Sequence, residues 1–273
     1  MSVMNSTSRR IQNLFKRQKE GDKVMSLFVT AGYPDIDSTT ELVLGFEKEG
    51  ADLIEIGIPY SDPLADGPTI QYSSQTALKN GITMDRIFAS VREIRKSSEI
   101  PLILMGYINP ILKRGIEKFC KEASESGIDG LIIPDVPPEE SKLISAEASK
   151  NGLSLIYLVA PNTDDERMKE IDRLSEGFVY CVSVTGVTGA RTGEELELSV
   201  SKFIDRVEKN VIRNPKLIGF GIRSHEDAKR ITEKTDGFIV GSALIDSIRS
   251  SYPKEGWKSD VFKFVKKLKY GDT

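Results

Sequence analysis

Two acidic side chains in the first quarter of the chain are placed for proton chemistry. Glu55 lies within Leu53-Ile54-Glu55-Ile56-Gly57-Ile58-Pro59, with aliphatic residues on both sides. In an extended strand its side chain points opposite to Ile54 and Ile56. It then enters either the interior of a barrel or the layer between sheet and helices, and both are costly for an unpaired charge. A structural ion pair relieves that cost. So does a carboxyl with a raised pKa, poised as acid or base. Asp66 lies in the next motif, Tyr60-Ser61-Asp62-Pro63-Leu64-Ala65-Asp66-Gly67-Pro68, which reads as a rigid, irregular loop. A plain Pro/Asp/Gly turn is one reading. A short turn suffices to leave a strand, however, and this segment spends roughly ten residues, a length usually tied to function. Asp66 is then a second carboxylate on the substrate of Glu55, and two acids in different environments can divide acid and base roles.

The second half of the chain carries a different signal. Gly186-Val187-Thr188-Gly189-Ala190-Arg191-Thr192-Gly193, Gly219-Phe220-Gly221-Ile222-Arg223 and Gly241-Ser242-Ala243 each follow a strand-like run. Any one of them could be a simple turn. Glycine also lets a phosphate approach backbone N–H groups, and a helix starting at Ser242 adds a favourable dipole. Three clusters at consecutive strand ends point to a phosphorylated substrate, held through Gly189, Phe220, Gly221, Gly241 and Ser242. The 186–193 segment reads as a lid whose closure excludes water and strengthens the electrostatics around Glu55 and Asp66.

These residues need a frame. Short, continuous apolar runs at Ser26–Ala31, Leu53–Gly57, Leu102–Tyr107, Gly130–Pro134, Leu153–Ala160, Phe178–Ser183, Lys216–Phe220 and Gly237–Val240 suggest strands covered on both faces. Amphipathic segments at Ile36–Glu49, Met84–Lys96, Ile111–Ser126, Glu139–Asn151, Asp164–Ser175, Glu194–Lys209 and His225–Lys234 suggest helices between them. Alternation of this kind implies parallel pairing through right-handed crossovers. A doubly wound open sheet also fits, but eight strands favour closure. The expected fold is an α/β (β/α)8 TIM barrel in one domain, residues 1–273, with catalytic groups at the C-terminal strand ends. Residues 8–20 are expected to add an N-terminal helix over the barrel bottom, and residues 257–269 a closing helix.

Composition narrows the function classes. A net charge of −3 with scattered Lys and Arg gives no pull toward nucleic acid. The basic run Lys263, Lys266, Lys267 and Lys269 reads as a solvated helix face. One histidine, His225, and two separated cysteines, Cys120 and Cys181, leave no metal-ligand spacing. His225 at a helix start suits a surface or capping role. No run approaches a membrane span, and the polar, basic start of the chain lacks a signal-peptide core, so the expected compartment is the cytoplasm with reduced thiols.

The run LIEIGIPYSDPLADGPTIQ (Leu53–Gln71) resembles the signature of the tryptophan synthase α chain family. So do Phe28–Pro34, Tyr107-Ile108-Asn109-Pro110, Ile133–Pro137, Gly186–Ala190, Gly219–Ile222 and Gly241–Ala243, in order along nearly the whole chain. The resemblance implies retro-aldol cleavage of indole-3-glycerol phosphate to indole and glyceraldehyde 3-phosphate. It implies Glu55 as the acid–base group and Asp66 as the acceptor of the indole N–H. Tyr180 would lie beside the glutamate, where strand packing is its alternative role. Phe28, Ile70, Met105, Tyr107 and Ile239 would wall the indole, and Thr188 would meet Asp66 on lid closure. No cofactor is implied in this chain. The family works with a PLP-dependent β chain in an α2β2 complex, with Pro59, Tyr60, Asp62 and the loop near Asn109 and Pro110 at the interface. Val184-Thr185 and Arg223 depart from the pattern beside key positions. Competing readings are another phosphate-binding barrel isomerase or epimerase, a stand-alone indole-producing lyase, and a subunit that only activates its partner.

Overall fold

The computed structural model describes residues 8–19, 21–182 and 194–272. Nine strands form one parallel sheet: β1 (Val24–Thr30), β2 (Leu53–Gly57), β3 (Leu102–Met105), β4 (Gly130–Ile132), β5 (Ser154–Ile156), β6 (Leu158–Val159), β7 (Val179–Val182), β8 (Lys216–Gly219) and β9 (Gly237–Val240). The order is β5-β4-β3-β2-β1-β9-β8-β7-β6. The two ends of that order, β5 and β6, are successive pieces of one extended run interrupted only at Tyr157. The Tyr157 carbonyl accepts from the Tyr180 N–H at 3.0 Å, so pairing continues across the interruption. The sheet therefore closes on itself, and the chain is a (β/α)8 barrel as expected.

The helices are α1 (Arg9–Arg17), α2 (Ser38–Lys48), α3 (Pro68–Lys79), α4 (Met84–Arg95), α5 (Ile108–Arg114), α6 (Ile116–Ser126), α7 (Ser145–Lys150), α8 (Asp165–Leu174), α9 (Glu194–Asn210), α10 (His225–Ile231), α11 (Ser242–Ser251) and α12 (Trp257–Tyr270). Three expectations need correction. The helix expected over Ile111–Ser126 is two, because Gly115 at φ +88° turns the chain between α5 and α6. The helix expected over Glu139–Asn151 is a 3-10 turn, Pro138–Leu143, followed by α7. Pro68 does not belong to the irregular loop. It is the first residue of α3, a helix start where its missing N–H costs nothing.

Strand alternation produces two hydrophobic layers. Ile54 and Ile56 pack outward, in the cluster that holds Leu42 and Phe46 of α2 and Ile87 and Val91 of α4. Leu53, Ile103, Ile132, Ile156, Phe178, Tyr180, Leu217 and Ile239 fill the barrel interior. Helix α1 closes the bottom by inserting Ile11, with the Phe15 ring 6.3 Å from that of Phe178. Its start is tied down at a buried carboxylate. Ser8 Oγ donates to Asp129 Oδ1 at 2.5 Å, and Asp129 Oδ2 accepts from Arg95 at 2.7 Å and from the Leu102 N–H at 2.9 Å. Arg10 adds an ion pair to Asp129 at 3.3 Å, so the buried charge is fully engaged.

Candidate active site

Because Glu55 shares the inward parity of Leu53, it enters the barrel interior rather than the helix layer. It is fully buried. Oε1 accepts a hydrogen bond from Ser26 Oγ at 2.6 Å, while Oε2 has no partner among the described residues. Among the described residues no cation pairs with it, so the ion-pair reading falls. Burial in the apolar interior pushes its pKa up to about 7, and the Ser26 bond only partly opposes the rise. Ser26 was not singled out from the sequence. Its only signal was a small polar residue at an inward position of β1, one strand away from Glu55.

Asp66 rides the loop between β2 and α3 and is partly buried. Desolvation raises its pKa, against a hydrogen bond from the Tyr107 hydroxyl. That hydroxyl also accepts from the Ala65 N–H at 2.9 Å. Tyr107, expected only to wall the substrate, thus also pins the Asp66 loop to the end of β3. Gln71 Nε2 donates to the Asp66 carbonyl at 2.9 Å and anchors the loop's other side to α3. Further along the mouth, Asn109 Nδ2 donates to the Tyr60 hydroxyl at 3.0 Å, and the Tyr60 and Tyr107 rings pack at a 35° tilt with centroids 5.5 Å apart.

Tyr180 on β7 is buried in the interior. Burial pushes its phenol well above the usual value, and the negative charges of Glu55 and then Asp66 push it further. Tyr180 and Glu55 both point into the barrel interior, from β7 and β2. Gly219 on β8 makes room for the phenol, because a Cβ there would lie 3.2 Å from its oxygen. Phe28 lies beside Glu55 in the register, and its ring covers Gly57, where a Cβ would meet it at 2.5 Å. Met105 and Ile239 line the same interior, and Ile70 packs from the first turn of α3 against the core.

The phosphate candidates sit on the adjacent strand ends. Phe220 is buried and Gly221, at φ +55°, is exposed. Gly241 precedes α11, whose first residue, Ser242, is exposed, and no side chain caps this helix start. The uncapped N–H groups and dipole of α11 face the mouth and suit an anion. Thr188, Gly189 and the 186–193 lid lie outside the described residues, as do Val184 and Thr185. Among the described residues no group of three or more His, Cys, Asp or Glu side chains could share a metal ion, and no helix is long and apolar enough to cross a membrane. Cys120 and Cys181 are buried and free, and burial pushes their thiols up to about 11 and about 12. His225 sits at the α10 start, with Nδ1 3.1 Å from the Leu268 carbonyl, away from the mouth.

A sequence profile of the tryptophan synthase alpha chain matches residues 14–270. The chain belongs to the tryptophan synthase α chain family. A family member from Thermoanaerobacter sp. (strain X514) is 51% identical over 261 residues, covering 95% of this chain and 98% of that one. One from Christiangramia forsetii is 46% identical over 255 residues, covering 93% and 97%. The crystal structure of the α chain from Legionella pneumophila subsp. pneumophila superposes with a TM-score of 0.86 at 35% identity, covering 97% of each chain. A chain of Mycobacterium tuberculosis tryptophan synthase gives 0.85 at 32%, covering 97% of this chain and 98% of that one. Family membership sets aside the isomerase and epimerase reading, and the family is one of lyases. A stand-alone lyase is not favoured by relatives that carry the α-chain name.

Proposed function

We propose that the chain cleaves indole-3-glycerol phosphate to indole and glyceraldehyde 3-phosphate. The observation that carries the mechanism is Glu55: buried, hydrogen-bonded through one oxygen only, and with a pKa near neutrality. Such a group holds a proton at neutral pH and can also release it. Neutral Glu55 donates its proton to C3 of the indole, forming the indolenine. Asp66 accepts the ring N–H and balances the positive charge that develops there. The resulting Glu55 carboxylate removes the proton from the glycerol hydroxyl attached to the bond that breaks. The C3–C bond cleaves, its electron pair restores the aromatic indole, and the oxygen becomes the aldehyde of glyceraldehyde 3-phosphate. Glu55 ends protonated again, so the cycle balances without another reagent.

Tyr180 fills the interior where the charges of both acids act on its phenol. Phe28, Ile70, Met105, Tyr107 and Ile239 form the walls against the indole ring. Gly221, Gly241 and Ser242 hold the phosphate together with Phe220 and, in the lid, Gly189. Thr188 meets Asp66 on closure. The chain uses no cofactor of its own. Its partner is a tryptophan synthase β chain carrying PLP in an α2β2 complex, docked at Pro59, Tyr60, Asp62, Asn109 and Pro110, and the complex works in the cytoplasm. Indole release from indole-3-glycerol phosphate, assayed with and without an added β chain, tests the reading. Glu55→Gln and Asp66→Asn each lose several orders of magnitude in turnover with the circular dichroism unchanged. Wild-type rates from either variant overturn the mechanism. High activity without any β chain favours the stand-alone lyase instead.

A further inference from the structure

Helices α3 and α11 carry the two halves of the site at their N-terminal ends. Asp66 lies two residues before α3, and Gly241 and Ser242 open α11. The helices lie side by side, and two matched pairs cross between them. Thr69 Oγ1 donates to Asp246 Oδ1 at 3.3 Å. The Arg249 guanidinium lies over the Tyr72 ring, 4.0 Å from its centroid. Thr69 and Tyr72 share one face of α3, and Asp246 and Arg249 one face of α11, so each pair adds to the other's register. The Tyr72 ring packs edge-on at 6.2 Å against buried Tyr33, which fixes the plane the guanidinium stacks on. On its inner side α3 is held to the end of β1 by a buried Ser73–Thr30 hydroxyl pair at 2.6 Å. The first turn of α3 in turn holds Asp66 through Gln71.

We propose that Thr69, Tyr72, Asp246 and Arg249 are positioning residues that register the phosphate-holding end of α11 against the Asp66 loop, so that phosphate occupancy and Asp66 placement stabilise each other. None of the four is assigned contact with substrate. The proposal rests on the phosphate reading of Gly241 and Ser242 given above. Coupling of this kind is reciprocal: a ligand that prefers the registered arrangement of α11 favours the same arrangement of the loop. An exposed cation–π pair is worth about fivefold in an equilibrium, which sets the size of the effect.

Two measurements test it on the full chain. In hydrogen exchange, saturating inorganic phosphate slows exchange of the 61–71 segment in the wild type, and Arg249→Met and Tyr72→Leu abolish that slowing. Arg249→Lys and Tyr72→Phe, which keep the cation and the ring, retain it. In the indole-release assay with added β chain, Arg249→Met and Tyr72→Leu each lower kcat about fivefold, and the double variant is no worse than either single. Thr69→Val lowers kcat in the same direction. Inhibition by inorganic phosphate weakens in the same variants by no more than about fivefold, because the coupling is reciprocal while α11 keeps its own N–H groups and dipole; a larger loss would mean general loosening and overturns the proposal. Unchanged exchange protection in Arg249→Met, or a double variant whose losses multiply, overturns the proposal. Phosphate-dependent protection that is lost in the variants, in a chain that cleaves no indole-3-glycerol phosphate, leaves the coupling standing and removes the proposed reaction instead.

Discussion

Glu55→Gln separates the electrostatic state of the site from its structure. In the folded chain burial raises the Glu55 pKa from 4.5 to about 7. At about 1.4 kcal/mol per pH unit, keeping this side chain ionised costs the folded state about 3 kcal/mol. The sign follows from proton counts. Below pH 4.5 the carboxyl is neutral in both states, and no penalty exists. Between 4.5 and about 7 the folded chain keeps the proton while the unfolded chain has lost it, so stability falls as pH rises. Above about 7 both states are ionised and the full penalty persists. Glutamine cannot titrate. Its buried amide adds a constant offset, and the other ionisable groups act nearly alike in both proteins. The stability of Glu55→Gln minus that of the wild type should therefore grow by about 3 kcal/mol between about pH 4.5 and about pH 8. Urea unfolding of both proteins across that range, followed by circular dichroism, measures the difference. A difference that stays flat within about 1 kcal/mol would show that Glu55 titrates normally, and the dual acid–base role would lose its physical basis.

Three other perturbations follow from the same geometry. Tyr107→Phe removes the hydroxyl that holds Ala65 and Asp66; turnover should fall about tenfold. Because the Tyr107 bond keeps the Asp66 pKa down, the acidic limb of kcat/KM against pH should also move upward, and an unmoved limb contradicts the role. Gly57→Ala sets a methyl 2.5 Å from the Phe28 ring and should cost about 1–3 kcal/mol of stability while raising KM, checked by unfolding and steady-state kinetics. Asp129→Ala leaves Arg95 without its buried carboxylate and should cost about 3–5 kcal/mol, read as a lower Tm. Since Asp129 lies at the barrel bottom, indole release below that Tm should persist.

How far the pattern of residues reaches is visible element by element. Leu53–Gly57 and Gly237–Val240 have the bounds that apolar runs alone suggest, because strands covered on both faces leave no polar alternation to confuse. Helix α3 was not expected. Pro68–Lys79 has few apolar residues, and the face it buries includes the hydroxyls Ser73 and Ser74, which carry no hydrophobic period. Where helix Ile111–Ser126 was expected, amphipathicity continues through Gly115 although the backbone does not, since periodicity is blind to a single positive φ. At the site, Glu55 and Asp66 stand out because a lone acid among aliphatics and a proline-rich loop are costly or unusual in themselves. Ser26 and the Tyr107 hydroxyl do not, because a serine or tyrosine is unremarked until a partner is near it.

Chain order and residue type were therefore enough for a parallel barrel, two candidate acids and a set of glycine-rich strand ends. Those features are local: each depends on an alternation, a turn or a charge within a few neighbouring residues. Only the closed barrel decided that Glu55 faces inward, away from any cation among the described residues, and that Tyr180 enters the same interior from β7 on the opposite arc. The same closure joined Tyr107 to Asp66 and set α3 beside α11. Inward and outward differ by one residue of parity that sequence cannot orient, and contacts between distant strands exist only once shear and closure set the register. The pKa of Glu55 is the clearest case: its carboxyl is ordinary, and its burial belongs to the fold.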